Sequence, residues 1–289
     1  MFSRYMNDLP SIVKFSSVES YVDETKVYYS LENIDSYLAK VLEDLRLIAS
    51  WCCTNKLLIN PDKTKLILFG TKQLLSKVPD IRVPFLGQHL IPVSSVKDLG
   101  IILDSNLTFN EHVNTLTSSL ISILCQINRV RHLFSKSVLT TILNCLVFCK
   151  LFYCSTVWSG TFVHNINKLQ LVQNFAARVL TNTKKFDHIS PVLRALCWPS
   201  VKNQLLVRDV TMLYKIVNGL APPYLECYVN KRSAIHSYNT RSRDNLVVPL
   251  CRTATAQRSF SYRAITAWNS LISEVTKNSE KRSQFSSAQ

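Results

Sequence analysis

The chain has 289 residues, with 34 Lys and Arg against 19 Asp and Glu, for a formal charge of +15. That length is one large domain or two ordinary ones, and 47% hydrophobic with 18% charged residues is a folding composition, not a disordered one. Five glycines, with no G-x-G-x-x-G and no G-x-x-x-x-G-K-[ST], argue against a dinucleotide fold or a P-loop, while the charge points to an acidic partner, nucleic acid before an anionic membrane.

In chain order, residues 11–30 read as extended, through Ile12, Val13, Phe15, Val18, Tyr21, Val27, Tyr28 and Tyr29. Asp23 and Glu24 lie between two apolar runs, where a hairpin turn is expected. Residues 31–53 are the clearest helix: Leu31, Ile34, Leu38, Val41, Leu42, Leu45, Ile48, Ala49 and Cys52 recur at three and four. Glu32, Asp35, Glu43 and Asp44 are expected on its opposite face. Asn60-Pro61-Asp62 is a turn, Lys65 to Phe69 alternates as a strand ending at Gly70, and residues 81–104 read as short strands turned at Gly87-Gln88. From Phe109 the pattern predicts helices near 109–133, 135–150, 164–182, 189–197, 201–218 and 257–273. Phe260, Ala264, Ala267, Trp268 and Leu271 form the apolar stripe of the last, and Gly219 before Pro222-Pro223 is a helix stop. The tail from Lys277 is polar and expected to fray.

Nine cysteines, an odd number, with no C-x-x-C and no secretory leader, imply free thiols in a reducing compartment. The expected location is intracellular, nucleus or cytoplasm, and not secreted. Cys145, Cys149 and Cys154 are expected as small buried hydrophobes. Val138 to Trp158 is apolar and about long enough to span a bilayer, but Asn144 and Lys150 interrupt it. A buried helix followed by a strand or second helix is the expectation, with no membrane partner. Asp98, Asp104 and Asp187 follow turn chemistry and are expected as cap or turn acids; the six histidines have no partner at a telling spacing.

Two acids at a turn, Asp23 and Glu24, could chelate a hard divalent cation through carboxylate oxygens, although an acidic turn is more often simply solvated. Their surroundings add weight. Asn7-Asp8-Leu9-Pro10 lies upstream. Asp44-Leu45, Trp51, Asn55-Lys56-Leu57, Asn60 and Lys63-Thr64-Lys65 follow, and then Leu99-Gly100-Ile101 and Leu103-Asp104. Further on come Tyr153, Trp158, Gln173-Asn174, Ala176-Ala177-Arg178, Trp198-Pro199, Tyr214-Lys215, Ala221-Pro222, Asn239-Thr240-Arg241-Ser242 and Trp268-Asn269-Ser270-Leu271. This order resembles the C-terminal half of a non-LTR retrotransposon reverse transcriptase of the jockey and CR1-like group. In that family N-D-L-P precedes a Y-x-D-D or F-A-D-D hairpin, and an N-x-x-K-T segment and a strand ending L-G-x-x-x-D follow.

The resemblance implies an α+β fold. Residues 1–104 would be a partial reverse-transcriptase palm, 105–200 a mostly α-helical thumb or connection, and 201–289 a basic C-terminal helical region. It implies RNA-directed DNA synthesis with Mg²⁺, an RNA template and DNA primer as partners, and dNTP as substrate of the full-length enzyme. In the family, the hairpin aspartates and one aspartate from an earlier strand hold two ions about 3.5–4 Å apart. Asp23 matches the first hairpin aspartate, and Glu24 stands where the second belongs, with the charge kept and a methylene added. Tyr21 matches the residue that shapes the primer end, and Lys63 lies where similar enzymes place a lysine near the leaving pyrophosphate. The strand bearing the earlier aspartate has no counterpart in this sequence, so the chain in isolation is expected not to polymerise.

For the nucleic-acid backbone, Arg241, Arg243, Arg258 and Arg263 are the candidates, with Phe260 and Trp268 left to packing. Residues 1–80 hold ten basic and ten acidic residues, whereas residues 81–289 hold 24 and nine, so the whole excess lies beyond the hairpin and its helix. The alternative is a non-catalytic nucleic-acid-binding remnant of a retroelement. A third reading, a small membrane protein, rests on residues 138–158 alone.

Overall fold

A computed structural model describes residues 6–30, 34–232 and 245–271. It divides into two compact units, residues 1–97 and 98–289. Helix is joined by short strands in both, and no sheet among the described residues is wider than two strands. The chain is therefore α+β and mostly helical.

In the N-terminal unit, strands β1 (Ser17–Tyr21) and β2 (Glu24–Tyr28) form the expected hairpin, antiparallel with Tyr21 opposite Glu24. Helix α1 (Ile34–Thr54) follows. Its apolar phase feeds two small cores. Tyr37 packs with Ile81, Val83, Phe85 and Leu90, and Ile48 and Cys52 pack with Met6 and Leu9. The first positions of the predicted helix, Leu31 and Glu32, lie outside the described residues.

Asp44 corrects the sequence reading. It is fully buried, not on the polar face, and its carboxylate accepts from the backbone N–H groups of Lys14 (2.8 Å), Phe15 (3.0 Å) and Ser16 (2.7 Å). Helix α1 ends in a Schellman motif, with Leu57 N–H to Cys52 O and Lys56 N–H to Cys53 O. Lys56 takes the left-handed position, φ 56°, that glycine usually fills.

The predicted strand at 65–69 shrinks to β3 (Leu66–Ile67), and an unforeseen turn of helix, α2 (Lys72–Leu75), follows with Thr71 as its N-cap. Strands β4 (Val83–Phe85) and β5 (Gln88–Leu90) form a hairpin closed by Leu86-Gly87, both at positive φ, the two-residue turn whose twist matches the strands. β6 (Pro92–Val93) pairs in parallel with β3, and β7 (Ser95–Asp98) ends near the boundary.

The C-terminal unit starts with β8 (Ile101–Asp104) and α3 (Asn110–Val130), and Asp104 is the turn acid expected of it. Its carboxylate accepts from Thr108 N–H (2.9 Å) and Phe109 N–H (2.6 Å), which fixes the turn that leads into α3. Helix α4 (Lys136–Leu143) runs through a π-helical segment, Asn144–Phe148, into α5 (Cys149–Leu151). A tight turn through Cys154 leads to α6 (Ser155–Trp158). The apolar stretch is thus broken, and no helix among the described residues is long and apolar enough to cross a membrane.

The three cysteines of this stretch also depart from expectation, since all are exposed. Leu139, Leu143, Val147 and Leu151 recur every four residues and take the core stripe, which turns Cys145 and Cys149 away from it.

α7 (Val163–Thr181) packs along α3 over a core that includes Trp158, Leu169, Val172 and Ala176. α8 (Ser190–Ala195) and α9 (Val201–Val217) follow, and Gly219 at φ 65° ends α9. A 3-10 segment, Pro223–Tyr228, packs on α9. The last predicted helix starts a few residues late, after an unforeseen short helix. α10 (Ala254–Gln257) stops at Arg258-Ser259, and α11 covers residues 260–271. Ala264 and Ile265 of α11 are fully buried with Leu213 and Leu246, and Phe260 and Trp268 pack around them, whereas Leu271 is exposed. The rest of the predicted helix, and the tail from Lys277, lie outside the described residues.

Candidate functional site

The hairpin tip is positioned from beneath. By tying down residues 14–16, Asp44 fixes where the chain enters β1, and the five paired positions carry that register to Tyr21 and Glu24. Only Val22 and Asp23 form the turn. Val22 sits at φ 58°, where a β-branched residue is a genuine outlier. Strain of this kind, of order 1–3 kcal/mol, gathers at functional sites. Tyr21, Asp23 and Glu24 are all exposed, with Tyr21 at 64%. Asp23 therefore lies in the turn itself, while Glu24 is the first paired residue of β2.

Two adjacent carboxylates are the hard oxygen donors that Mg²⁺ takes. They fit as part of a donor set but do not complete one. No group of three or more His, Cys, Asp or Glu capable of holding a metal occurs among the described residues. Lys63 is exposed on a separate turn, where Asn60 Oδ1 accepts from the N–H groups of Asp62 (3.0 Å) and Lys63 (3.3 Å). No ion pair joins Lys63 to Asp23 or Glu24 among the described residues.

The candidate arginines separate into three cases. Arg241 and Arg243 lie outside the described residues. Arg258 stacks its guanidinium on the Phe162 ring, 4.6 Å from the centroid, and its Nε is buried with no hydrogen-bond partner. Its carbonyl comes so near Gly160 that a Cβ there would lie 2.1 Å from the oxygen. Only glycine permits that approach. Arg263, expected on a phosphate, is instead committed internally. It pairs with Asp209 (2.9 Å) and donates to Ser159 Oγ (2.5 Å), Thr156 O (3.2 Å) and the Arg258 carbonyl (2.8 Å). A guanidinium with five donors in a fixed fork has little left to offer a backbone phosphate once these are placed.

Asp209 was not singled out from the sequence. It is 3% exposed, and burial pushes its carboxyl up to about 6 against the opposing pull of Arg263 and the Ser159 hydroxyl. Burial likewise lowers Arg263, with Asp209 working the other way. The signal was available, because Val201, Leu205, Asp209, Leu213 and Ile216 make one buried stripe of α9 and the acid interrupts it.

Asp44 is the opposite case. Burial pushes its carboxyl up, but the N–H donors of Lys14, Phe15 and Ser16 outweigh burial and hold it below the ordinary carboxylate value. His112, buried against Trp158, is held below its ordinary value by burial. Its Nδ1 accepts from the Ile102 N–H (3.4 Å).

Comparison with known proteins bears on the lineage of the chain. No family model matches the chain, and no solved structure does. Among curated proteins, a probable RNA-directed DNA polymerase from transposon BS of Drosophila melanogaster is 27% identical over 190 residues. That alignment covers 64% of this chain and 21% of the relative, so the chain spans about a fifth of that protein's length. The chain is a distant homologue of a transposon RNA-directed DNA polymerase, in agreement with the resemblance to non-LTR, jockey-like reverse transcriptases carried by its motifs.

Proposed function

We propose that this chain is a C-terminal portion of a non-LTR retrotransposon reverse transcriptase. Its N-terminal unit would carry one part of the metal site and its basic C-terminal unit would hold nucleic acid. The observation that carries the reading is the hairpin. Asp23 in its exposed, strained turn and Glu24 at the start of β2, paired with Tyr21, are the residues that match the family motif, and their exposure supports this reading. In this reading the region to residue 104 is the end of the palm, 105–200 the thumb, and 201–289 the C-terminal region.

Asp23 and Glu24 would hold Mg²⁺ together with a third carboxylate from the rest of a longer polypeptide. Bound there, the metal supplies Lewis-acid stabilisation of charge developing on phosphate oxygens. Tyr21 would flank the primer end, and Lys63 would lie on the pyrophosphate side. The template and primer backbone would meet the basic unit through Arg258 and the Arg241/Arg243 stretch. On its own the chain would bind nucleic acid without synthesis, because a two-carboxylate set holds a metal too loosely to place two oxygens in line.

The test is primer extension on an RNA template with Mg²⁺, for the chain alone and for the chain joined to the family's upstream palm and fingers. Extension only by the joined protein, lost in Asp23→Asn, supports the reading. Extension by the isolated chain that vanishes in Asp23→Asn overturns the claim of an incomplete site. Extension by the joined protein that survives Asp23→Asn removes the hairpin from catalysis.

A further inference from the structure

Three tyrosines are exposed on α9 and on the 3-10 segment that packs against it. Tyr214 of α9 is 50% exposed, and Tyr224 and Tyr228 of the 3-10 segment are 72% and 58% exposed. The two elements pack together, and the turn between them is closed by Leu220 N–H to Lys215 O (2.8 Å). Tyr214 is backed by Trp268, with ring centroids 6.4 Å apart, so its ring has support from within. Nothing in the core needs these rings outside. Buried Leu213 and Ile216 already fill the inner face of α9.

The charge around them is mostly positive, although Glu226 lies between Tyr224 and Tyr228. Over residues 201–232, Lys202, Arg208, Lys215, Lys231 and Arg232 are exposed against a single exposed acid, Glu226. The other acid of this stretch, Asp209, is buried on Arg263. Large aromatic faces set among cations are what a single strand recognises. Each unpaired base offers a π-face for stacking, and the phosphates between bases meet the charge. A duplex shows its phosphates but has no free base faces.

We infer that Tyr214, Tyr224 and Tyr228 form a stacking platform for single-stranded nucleic acid, with Lys215 and Lys231 meeting the backbone. This rests on the nucleic-acid reading of the basic unit and adds what that reading leaves open: the strand state, and the residues that sense it.

The experiment uses the whole chain with fluorescein-labelled oligo-dT, oligo-U and a blunt duplex of the same length, titrated at several salt concentrations. The wild type is expected to bind the single strands more tightly than the duplex. Tyr224→Leu with Tyr228→Leu is expected to weaken single-strand binding by roughly tenfold or more, to leave duplex binding unchanged, and to keep the salt slope. Tyr→Phe at both positions is expected to bind as the wild type does, because the ring is kept. Circular dichroism of each variant verifies the fold, which exposed positions should not disturb.

Binding that ignores Tyr→Leu while still falling with salt overturns the platform and leaves the phosphate reading standing. Binding absent from the wild type overturns both. Leu variants that shift the molecular mass of the protein while nucleic-acid affinity stays constant would show a protein interface instead, and would also overturn the platform.

Discussion

Each unit buries one unexpected aspartate, and the two are stabilised in opposite ways. Asp44 in the N-terminal unit meets three backbone N–H donors, fixed dipoles that carry no charge of their own to desolvate. Asp209 in the C-terminal unit meets a guanidinium that is itself buried, its side chain 19% exposed. In the first case donation wins over burial, and the carboxyl falls below its usual value. In the second, burial wins over the ion pair, and the carboxyl rises to about 6. A buried carboxylate is served better by oriented backbone amides than by a second ion that must also leave water.

The largest expected effect is on the ion pair. Arg263→Ala leaves Asp209 buried and uncompensated and should cost roughly 3–5 kcal/mol, read as a drop in denaturant midpoint. Replacing both partners by apolar residues, Asp209→Leu with Arg263→Met, should recover most of that loss. If the double variant is as weak as the single one, the pair contributes more than charge neutralisation.

Asp44→Ala should follow closely, at roughly 2–4 kcal/mol, because it strips an acceptor from three part-buried N–H groups. Proteolysis within residues 14–30 should quicken more than cleavage elsewhere. Equal acceleration across the chain would contradict the local anchoring argued here.

The two acids also predict opposite responses to pH. For Asp209 the folded value lies above the unfolded one, so its ionised form destabilises the fold above pH 6. Stability should therefore rise as pH falls from 6 towards 4, by up to about 3 kcal/mol before screening and relaxation. For Asp44 the folded value lies below the unfolded one, so its contribution is complete above the ordinary carboxylate range and is lost as pH falls below it. Melting curves of wild type and Asp209→Asn should converge near pH 4 and separate above pH 6. Parallel curves across that range would refute the assignment.

The smallest effect expected is at the hairpin. Val22→Gly relieves a left-handed β-branched residue and should change stability by about 1 kcal/mol or less, favourably, since glycine also loses more freedom on folding. If Val22→Gly lowers activity in the joined polymerase while stability rises, the strain serves the site. Unchanged activity would mean that it does not.

Much of this was legible from periodicity. The helices at 110–130, 163–181 and 201–217 fall within a residue or so of expectation at most ends, because each apolar stripe is long enough to set the phase despite single polar interruptions. The hairpin was legible because two β-rich runs flank a pair of acids. Sequence reading failed where one residue departs from its stripe. Asp209 sits in the apolar phase of α9, and Asp44 was assigned to solvent because acids usually go there. The cysteines at 145, 149 and 154 were placed inside by composition, although helical phase assigns the core to leucines and valine.

Glycine scarcity is visible at once, but what it requires is not. Nine other described residues occupy left-handed backbone, Lys56 and Cys197 among them at helix ends where glycine is usual.

Length, charge placement, the order of motifs and the helical phases are properties of the sequence alone. They are local or additive, and they were enough to read an α+β chain, the lineage and a basic C-terminal unit. How the buried acids are held, the commitment of Arg263 to the interior and which tyrosines face outward were decided only in three dimensions. Each depends on what a distant segment places against the side chain: Lys14 to Ser16 against Asp44, and Ser159 and Arg263 against Asp209. Such pairings leave no periodic trace, because the partners are chosen by packing across tens of residues and not by spacing along the chain.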